Sequence, residues 1–240
     1  MSKQILRDQS IYLGGYDLTG RSNALTLDYS AEMQDATTFG QSSHIRLGGL
    51  TMAAAQVAGF MDIDTTDAFQ FSNIGVQDTP FSFGAKGDTV GDDAFTLLAA
   101  EGDIKIGAAV GDICAFDAGM QSTGKLIKGK ILLNSKSAAI TSTGAGTAQQ
   151  LGAVASGKRI YIAAHVLNAG TGSATIKLQS DSTNAFSGAQ TDRITLTAAT
   201  SIGAQMSSVA GAITDTYWRV AYTISGASPS FKLVVIVGIL

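Results

Sequence analysis

The chain has 240 residues, and 15% of them are charged, well below the roughly 25% that is usual. Its net charge of −3 argues against a nucleic-acid groove, which requires clustered lysine and arginine. So few charges leave apolar surface uncovered in a monomer, and contacts between subunits are the natural place to bury it. The single cysteine, Cys114, excludes an intrachain disulfide and indicates folding in a reducing cytosol.

Neither a secretion signal nor a membrane helix is expected. Met1–Arg7 is charged and polar and has no apolar core of a signal peptide. The longest apolar run, Leu233–Leu240, is far shorter than the roughly 20 residues that a membrane helix needs.

The first elements alternate with a period of two. Leu25, Leu27 and Tyr29 share one face, which predicts a half-buried strand. A long loop is expected at Met33–Gly49. One short helix is predicted to begin at a cap in Asp64–Asp67 and to end before Gly75.

The strongest change of composition lies in Asn134–Gly157, which is rich in small polar residues and nearly free of large apolar ones. We predict a domain boundary at its start, giving domains 1–133 and 134–240, of which the second is a β-sandwich.

The second half is a series of strands. Ile160–Leu167 and Val234–Ile236 are apolar on both faces and are expected to be covered twice. The other strands alternate and place on one face Ile176 and Leu178, Ile194 and Leu196, Trp218, Val220, Tyr222 and Ile224, and Phe231, Leu233, Val235 and Val237. The fold class is therefore all-β with one short helix.

Each candidate for chemistry has a simpler interpretation. Gly152–Arg159 is one residue short of a phosphate-binding loop, because Arg159 replaces the hydroxyl residue and a strand follows. His165 lies among apolar residues and His44 is distant from it, so neither predicts a metal ligand. Cys114, in an apolar stretch, is expected to be a small core residue. A Cys–His nucleophile pair has no support.

The acidic and aromatic clusters also have simpler interpretations than a binding site. Asp62, Asp64 and Asp67, and separately Asp92 and Asp93, lack calcium-loop spacing and suit caps and solvated turns. A sugar platform would need an exposed Trp218, whereas its strand pattern favours burial. We predict no catalytic, cofactor or metal site, and no enzyme.

The N-terminal half contains a chain of motifs in a fixed order: Leu18–Glu32, Asp35–Gly40, Ile45–Leu50, Gln56–Asp62 and Gly107–Asp112. Together they resemble the major tail tube protein of long-tailed bacteriophages. The resemblance covers roughly residues 11–133, and the C-terminal half is similar to C-terminal segments of tail proteins. One departure is Gly48, where that family has proline.

The resemblance implies a β-sandwich or barrel subunit that closes into rings, which stack into the hollow tail tube through which phage DNA passes. Its partners would be further copies of itself and other tail proteins, in the virion, after synthesis in the host cytoplasm. A ring would pair the edge strands of neighbouring subunits. It would contain six chains if only the first half forms the tube, and three if both halves do.

The long loop is the predicted contact between subunits or rings, and its candidate residues are Asp35, Thr37, Thr38, Phe39 and Arg46. The alternative is a mobile surface loop. Alternative functions are another virion structural protein, such as a trimeric decoration or fibre protein, and a carbohydrate-binding module.

Overall fold

The computed structural model describes residues 9–61, 65–188 and 190–240, so Met1–Arg7, Asp62 and the predicted cap residue Asp64 lie outside the described residues. The described chain is all-β with one short helix, which confirms the predicted fold class. Its elements are β1 (Ser10–Leu13), β2 (Tyr16–Asp17), β3 (Ser22–Asp35), β4 (Arg46–Phe60), α1 (Thr65–Asn73), β5 (Thr79–Gly84), β6 (Asp93–Gly107), β7 (Ala115–Ser122), β8 (Ile127–Asn134), β9 (Gly144–Ala145), β10 (Gln149–Gln150), β11 (Arg159–Ala169), β12 (Ser173–Asp181), β13 (Thr191–Thr195), β14 (Gly203–Ala210), β15 (Tyr217–Ser225) and β16 (Phe231–Ile239).

The chain divides into two compact units whose limits differ from the predicted 1–133 and 134–240. Unit 1 contains the residues up to Gly20, residues 79–97 and residues 127–240. Unit 2 contains residues 21–78 and 98–126. The physical reason is that β8 pairs with β16, so strands on both sides of residue 134 belong to the same sheet of unit 1.

Unit 1 contains a β-sandwich. One sheet has the order β14-β11-β16-β8 and continues through the start of β6 to β5, β1 and β2, and the other has the order β10-β15-β12-β13, with β9 also on β15. The core between them comprises Ile160, Ile162, Ala164, Val166, Ala174, Ile176, Leu178, Ile194, Trp218, Val220, Phe231, Leu233, Val235 and Val237 among others. The alternating strands predicted from the sequence supply most of it.

The central strands of that sheet are also covered on their other face. Val234 and Ile236 of β16 pack in a second cluster with Tyr12, Ala94 and Ile131. His165 of β11 is fully buried on this side, with its Nε2 2.8 Å from Ser82 Oγ and its ring 5.7 Å from that of Tyr12. This confirms the predicted two-sided burial of β11 and β16.

Unit 2 contains a sheet with the order β3-β4-β7-β6, where β6 contributes its second half. Its buried face carries Ala53, Ala55, Val57, Phe116, Ala118 and Met120. The helix α1 follows β4 and ends beside β6, where Gly75 donates its backbone N–H to the Glu101 carbonyl oxygen at 2.8 Å.

Candidate assembly surface

The β3–β4 hairpin of unit 2 is the feature that sequence reasoning singled out. Its strands have 14 and 15 residues, more than twice the usual length of about 5–6. They pair from Ser22 opposite Gly59 to Asp35 opposite Arg46. The irregular segment is therefore residues 36–45, here called the Phe39 loop, and it is shorter than the predicted loop Met33–Gly49.

Side-chain hydrogen bonds hold the base of the Phe39 loop. Asp35 Oδ1 accepts from the Thr37 hydroxyl at 2.5 Å and from the Thr37 backbone N–H at 2.9 Å, and Oδ2 is 3.1 Å from His44 Nδ1. The Thr37 hydroxyl oxygen also accepts from the backbone N–H of Ile45 at 3.0 Å. The hydrogen bonds from Thr37, above all from its hydroxyl, lower the pKa of Asp35.

Phe39 lies at the tip of this loop and is fully exposed, at 107% of its reference area. Gly40 follows with φ +88°, a left-handed conformation that glycine adopts without strain. Gln41 closes the turn by donating its N–H to the Thr38 carbonyl oxygen at 3.4 Å. The hairpin therefore presents an aromatic side chain to solvent on a loop with a held base.

The five candidate residues all lie on the hairpin and are all exposed. Asp35 and Arg46 are opposite each other at the ends of the two strands, and Thr37, Thr38 and Phe39 belong to the loop. Their role between subunits stays a prediction.

The hairpin exposes many more apolar side chains than its candidate residues. Tyr29 was predicted to be half-buried, but it is 54% exposed: it is opposite the buried Ala53 of β4, on the edge strand β3, which has a partner strand on one side only among the described residues. Leu50 is 80% exposed. The full set of large exposed apolar side chains on or next to the two strands is Tyr29, Met33, Ile45, Leu47, Leu50, Met52 and Phe60. Apolar surface this extensive on one element marks an interaction site.

The outer edge of β3 is open. Among the residues that the structure describes, β3 pairs only with β4. An edge of 14 residues offers a row of backbone donors and acceptors to another strand.

One face of this sheet is polar and mildly acidic, and we call it the polar face. Thr26 is opposite Gln56, and Gln56 donates to Asp117 Oδ2 of β7 at 2.9 Å. On β6, Lys105 Nζ lies 3.6 Å from Asp103 Oδ2. The side chains exposed on it are Thr26, Asp28, Gln56, Asp103, Lys105 and Gln121, with Asp117 half-buried among them.

The helix α1 has its polar side turned inward, which sequence reasoning missed. Thr66, Asp67, Gln70 and Asn73 are buried, whereas Phe71 is 72% exposed. The polar residues recur at the spacing of a helical stripe, and this was the available signal, but a stripe alone does not tell which side faces the core.

Beneath α1 lies a group of buried polar side chains. Arg21 pairs with Asp67 at 2.9 Å, and Asn73 donates to Glu101 Oε2 at 3.3 Å. Asp67 is thus a buried ion-pair member and not a solvated turn residue. Burial, opposed by the Asn73 hydrogen bond, raises the pKa of Glu101 to about 7.

The remaining residues considered as candidates for chemistry have structural positions that the following contacts describe. Trp218 is fully buried and donates its Nε1–H to the Gly152 carbonyl oxygen at 2.9 Å, so the sugar platform that required its exposure is overturned. The prediction that Cys114 is buried is wrong: it is exposed, because it lies in the turn between β6 and β7. Arg159 begins β11, as expected of a loop followed by a strand. Asp92 pairs with Lys86 at 3.5 Å and Asp93 with Lys130 at 3.5 Å.

The described residues contain neither a metal-binding cluster nor a helix that could span a membrane. Within residues 9–61, 65–188 and 190–240, no group of three or more His, Cys, Asp or Glu side chains is placed to hold a metal ion. The helix in this part of the chain does not have the length and apolar character that crossing a membrane requires.

No family model and no curated protein sequence matches the chain. Solved structures that are similar to it include the following three. A chain of the native gene transfer agent virion is 20% identical with a TM-score of 0.42, over 52% of this chain and 97% of that one. The SPP1 tail tube is 12% identical with a TM-score of 0.43, over 51% and 77%. The SPP1 Dit protein, of a hub adsorption apparatus, is 13% identical with a TM-score of 0.39, over 98% and 100%.

Proposed function

We propose that this chain is a structural protein of a phage tail that assembles with copies of itself into stacked rings, forming a hollow tube for the passage of DNA. The observation that carries the proposal is the β3–β4 hairpin, which combines an open 14-residue edge with extensive exposed apolar surface. The N-terminal motifs that resemble tail tube proteins lie in and around this same hairpin.

The two edges of the unit 2 sheet suit closure into a ring. One edge is β3, and the other is the second half of β6. Within the described part of the chain, that half of β6 pairs with β7 on one side and has only an isolated bridge, from Ile74 to Glu101, on the other. Pairing β3 of one copy with β6 of the next would continue the sheet around an axis. A closed ring leaves no open edge, which removes the hazard of uncontrolled strand addition.

The polar face is the surface that we assign to the bore. Asp28, Asp103 and Asp117 make it acidic on balance, with Lys105 as its positive charge. An acidic wall repels DNA phosphates and lets the duplex pass without specific binding. The opposite, buried face is apolar and cannot line a water-filled channel.

The Phe39 loop is assigned to the contact between copies, with Asp35, Thr37, Thr38, Phe39 and Arg46 as its functional residues. The hydrogen-bonded base reduces the entropy that is lost when the loop docks. Its tip is aromatic, and aromatic side chains, Phe among them, are enriched in protein interfaces.

Electron microscopy of the purified protein in negative stain tests the proposal. We expect hollow tubes of uniform bore, and the mass of a single ring decides between three and six copies. A protein that remains a monodisperse monomer would contradict assembly of any kind. Discrete trimers that never stack would instead favour a decoration or fibre protein.

A further inference from the structure

We infer that the exposed apolar surface of α1 is the docking site for the Phe39 loop of a second copy of this chain. The α1 surface comprises Phe71 of the helix and Ile74 and Val76 of the segment that directly follows it, all exposed. This inference rests on the proposed self-assembly and adds which two surfaces of the subunit meet.

The buried polar side chains beneath α1 keep this surface facing outward. Turning the helix to bury Phe71 would break the 2.9 Å ion pair between Arg21 and Asp67 and the hydrogen bond from Asn73 to Glu101. It would also replace their contacts with buried charge that has no partner, which is costly. The apolar side is therefore held facing away from the core of its own unit.

The charge pattern favours a neutral occupant. Residues 68–77, which contain the α1 surface, include no Asp, Glu, Lys or Arg. Residues 36–43 of the Phe39 loop include none either. Because each copy has a net charge of −3, contact through two uncharged segments avoids the repulsion between like charges that other surfaces would bring.

A stable interface with a second copy needs more area than the α1 surface alone provides. Three side chains cover far less than the roughly 800 Å² that each partner buries in a stable complex. The remainder must come from other exposed apolar side chains of unit 2, and the β3–β4 hairpin has seven of them on or next to its strands. One chain thus supplies both the projecting aromatic and the surface that receives it, which is the requirement of a head-to-tail contact.

Cross-linking between two differently tagged copies tests this contact. Both carry Cys114→Ser, which removes the exposed native thiol. One copy carries Phe39→Cys and the other Phe71→Cys, and a short bis-maleimide is added to the mixture. We expect a cross-linked species containing both tags. The matched control replaces Phe71→Cys by Ile202→Cys, at an exposed apolar residue of unit 1, and should give at least about tenfold less product.

Association measurements on single variants complete the test. Phe71→Glu is expected to weaken association about tenfold or more, whereas Ile202→Glu leaves it unchanged. Unfolding midpoints equal to that of the unmodified chain show that each variant is folded. Cross-linking without tubes would support this contact and contradict the tube. Tubes that form normally from Phe71→Glu, with no cross-link, would overturn the contact and leave the tube standing.

Discussion

His165 is a histidine that its surroundings keep neutral. Thr96 donates its hydroxyl hydrogen to the Phe81 carbonyl oxygen, so it must accept from Ser82, and Ser82 in turn must accept from His165 Nε2–H. Complete burial lowers the pKa of His165 to about 3. A neutral Nε2–H tautomer therefore links β11 to β5 inside unit 1.

This burial predicts loss of stability in acid. Below about pH 6.5 the unfolded chain protonates His165, while the folded chain does not until about pH 3. The free energy of unfolding should fall with decreasing pH in this window by about 1.4 kcal/mol per unit from this group. Urea unfolding at several pH values measures the difference in free energy of unfolding between the unmodified chain and His165→Gln. This difference should shrink toward low pH. A difference that stays constant between about pH 7 and pH 4 would contradict this assignment.

The buried Glu101 predicts the opposite dependence of the free energy of unfolding on pH. Its folded pKa of about 7 lies above the usual 4.5, so the folded chain holds a proton that the unfolded chain has lost. Stability from this group is present below about pH 4.5 and is lost as the pH rises through 7. Glu101→Gln should therefore gain up to about 3 kcal/mol relative to the unmodified chain between about pH 4 and pH 8. Urea unfolding measures it, and the same gain in Glu32→Gln, at the exposed glutamate, would contradict the assignment to burial.

At the scale of the element, the Phe39 loop can be loosened without disturbing the core. Thr37→Val removes the hydroxyl that donates to Asp35 and accepts from the Ile45 N–H. We expect faster hydrogen exchange at Ile45, with the free energy of unfolding changed by less than about 0.5 kcal/mol. In the control Thr38→Val, the backbone carbonyl that Gln41 contacts is retained, and exchange should stay slow. Equal acceleration in both variants would mean that the base of the loop is not held by Thr37.

Strands with alternating side chains could be predicted from the sequence because one physical cause decides their pattern. Trp218 and Val220 of β15 face the sandwich core, and Val234 and Val235 of β16 are buried on opposite faces, as their neighbours in the sequence indicate. Burial follows the period of two wherever a second layer covers the strand.

The same pattern fails where no second layer of the subunit is present. Tyr29 continues the alternation of Leu25 and Leu27 but is 54% exposed on the edge strand β3, although the small Ala53 opposite it is buried. In α1 the stripe that faces the core is polar, and its reason is the Arg21–Asp67 pair, which joins residues 46 positions apart. Partners at such separations are not visible in a local pattern.

At the scale of the whole molecule, the division into units could not be predicted for the same reason. The small polar composition of residues 134–157 predicted a domain boundary at its start, whereas the pairing of Asn134 with Val234 places strands on both sides of that point in one sheet. Hydrogen bonds between strands about 100 residues apart decide which segments form a compact unit. The composition of a segment indicates how well it is solvated, but it does not indicate which strand lies beside it.

The polar face gives a prediction about the assembled tube. If it lines the bore, adding positive charge there should create an affinity for DNA phosphates that the unmodified, acidic wall lacks. We expect tubes of the double variant Thr26→Lys and Gln121→Lys, both exposed on this face, to retain short double-stranded DNA at low salt. Retention should fall steeply between roughly 50 and 200 mM salt, because phosphate contacts release counterions.

The control for this prediction has the same charge change on unit 1. Ser201→Lys and Ser228→Lys, at two exposed residues, also add two positive charges. Sedimentation of tubes with labelled DNA measures retention in the unmodified protein and both variants. The bore assignment requires retention by the Thr26→Lys, Gln121→Lys tubes alone, and protection of that DNA from added nuclease, since a duplex inside the tube is enclosed. Retention that is equal in the control tubes, or DNA that nuclease degrades freely, would place the polar face on the outside of the assembly.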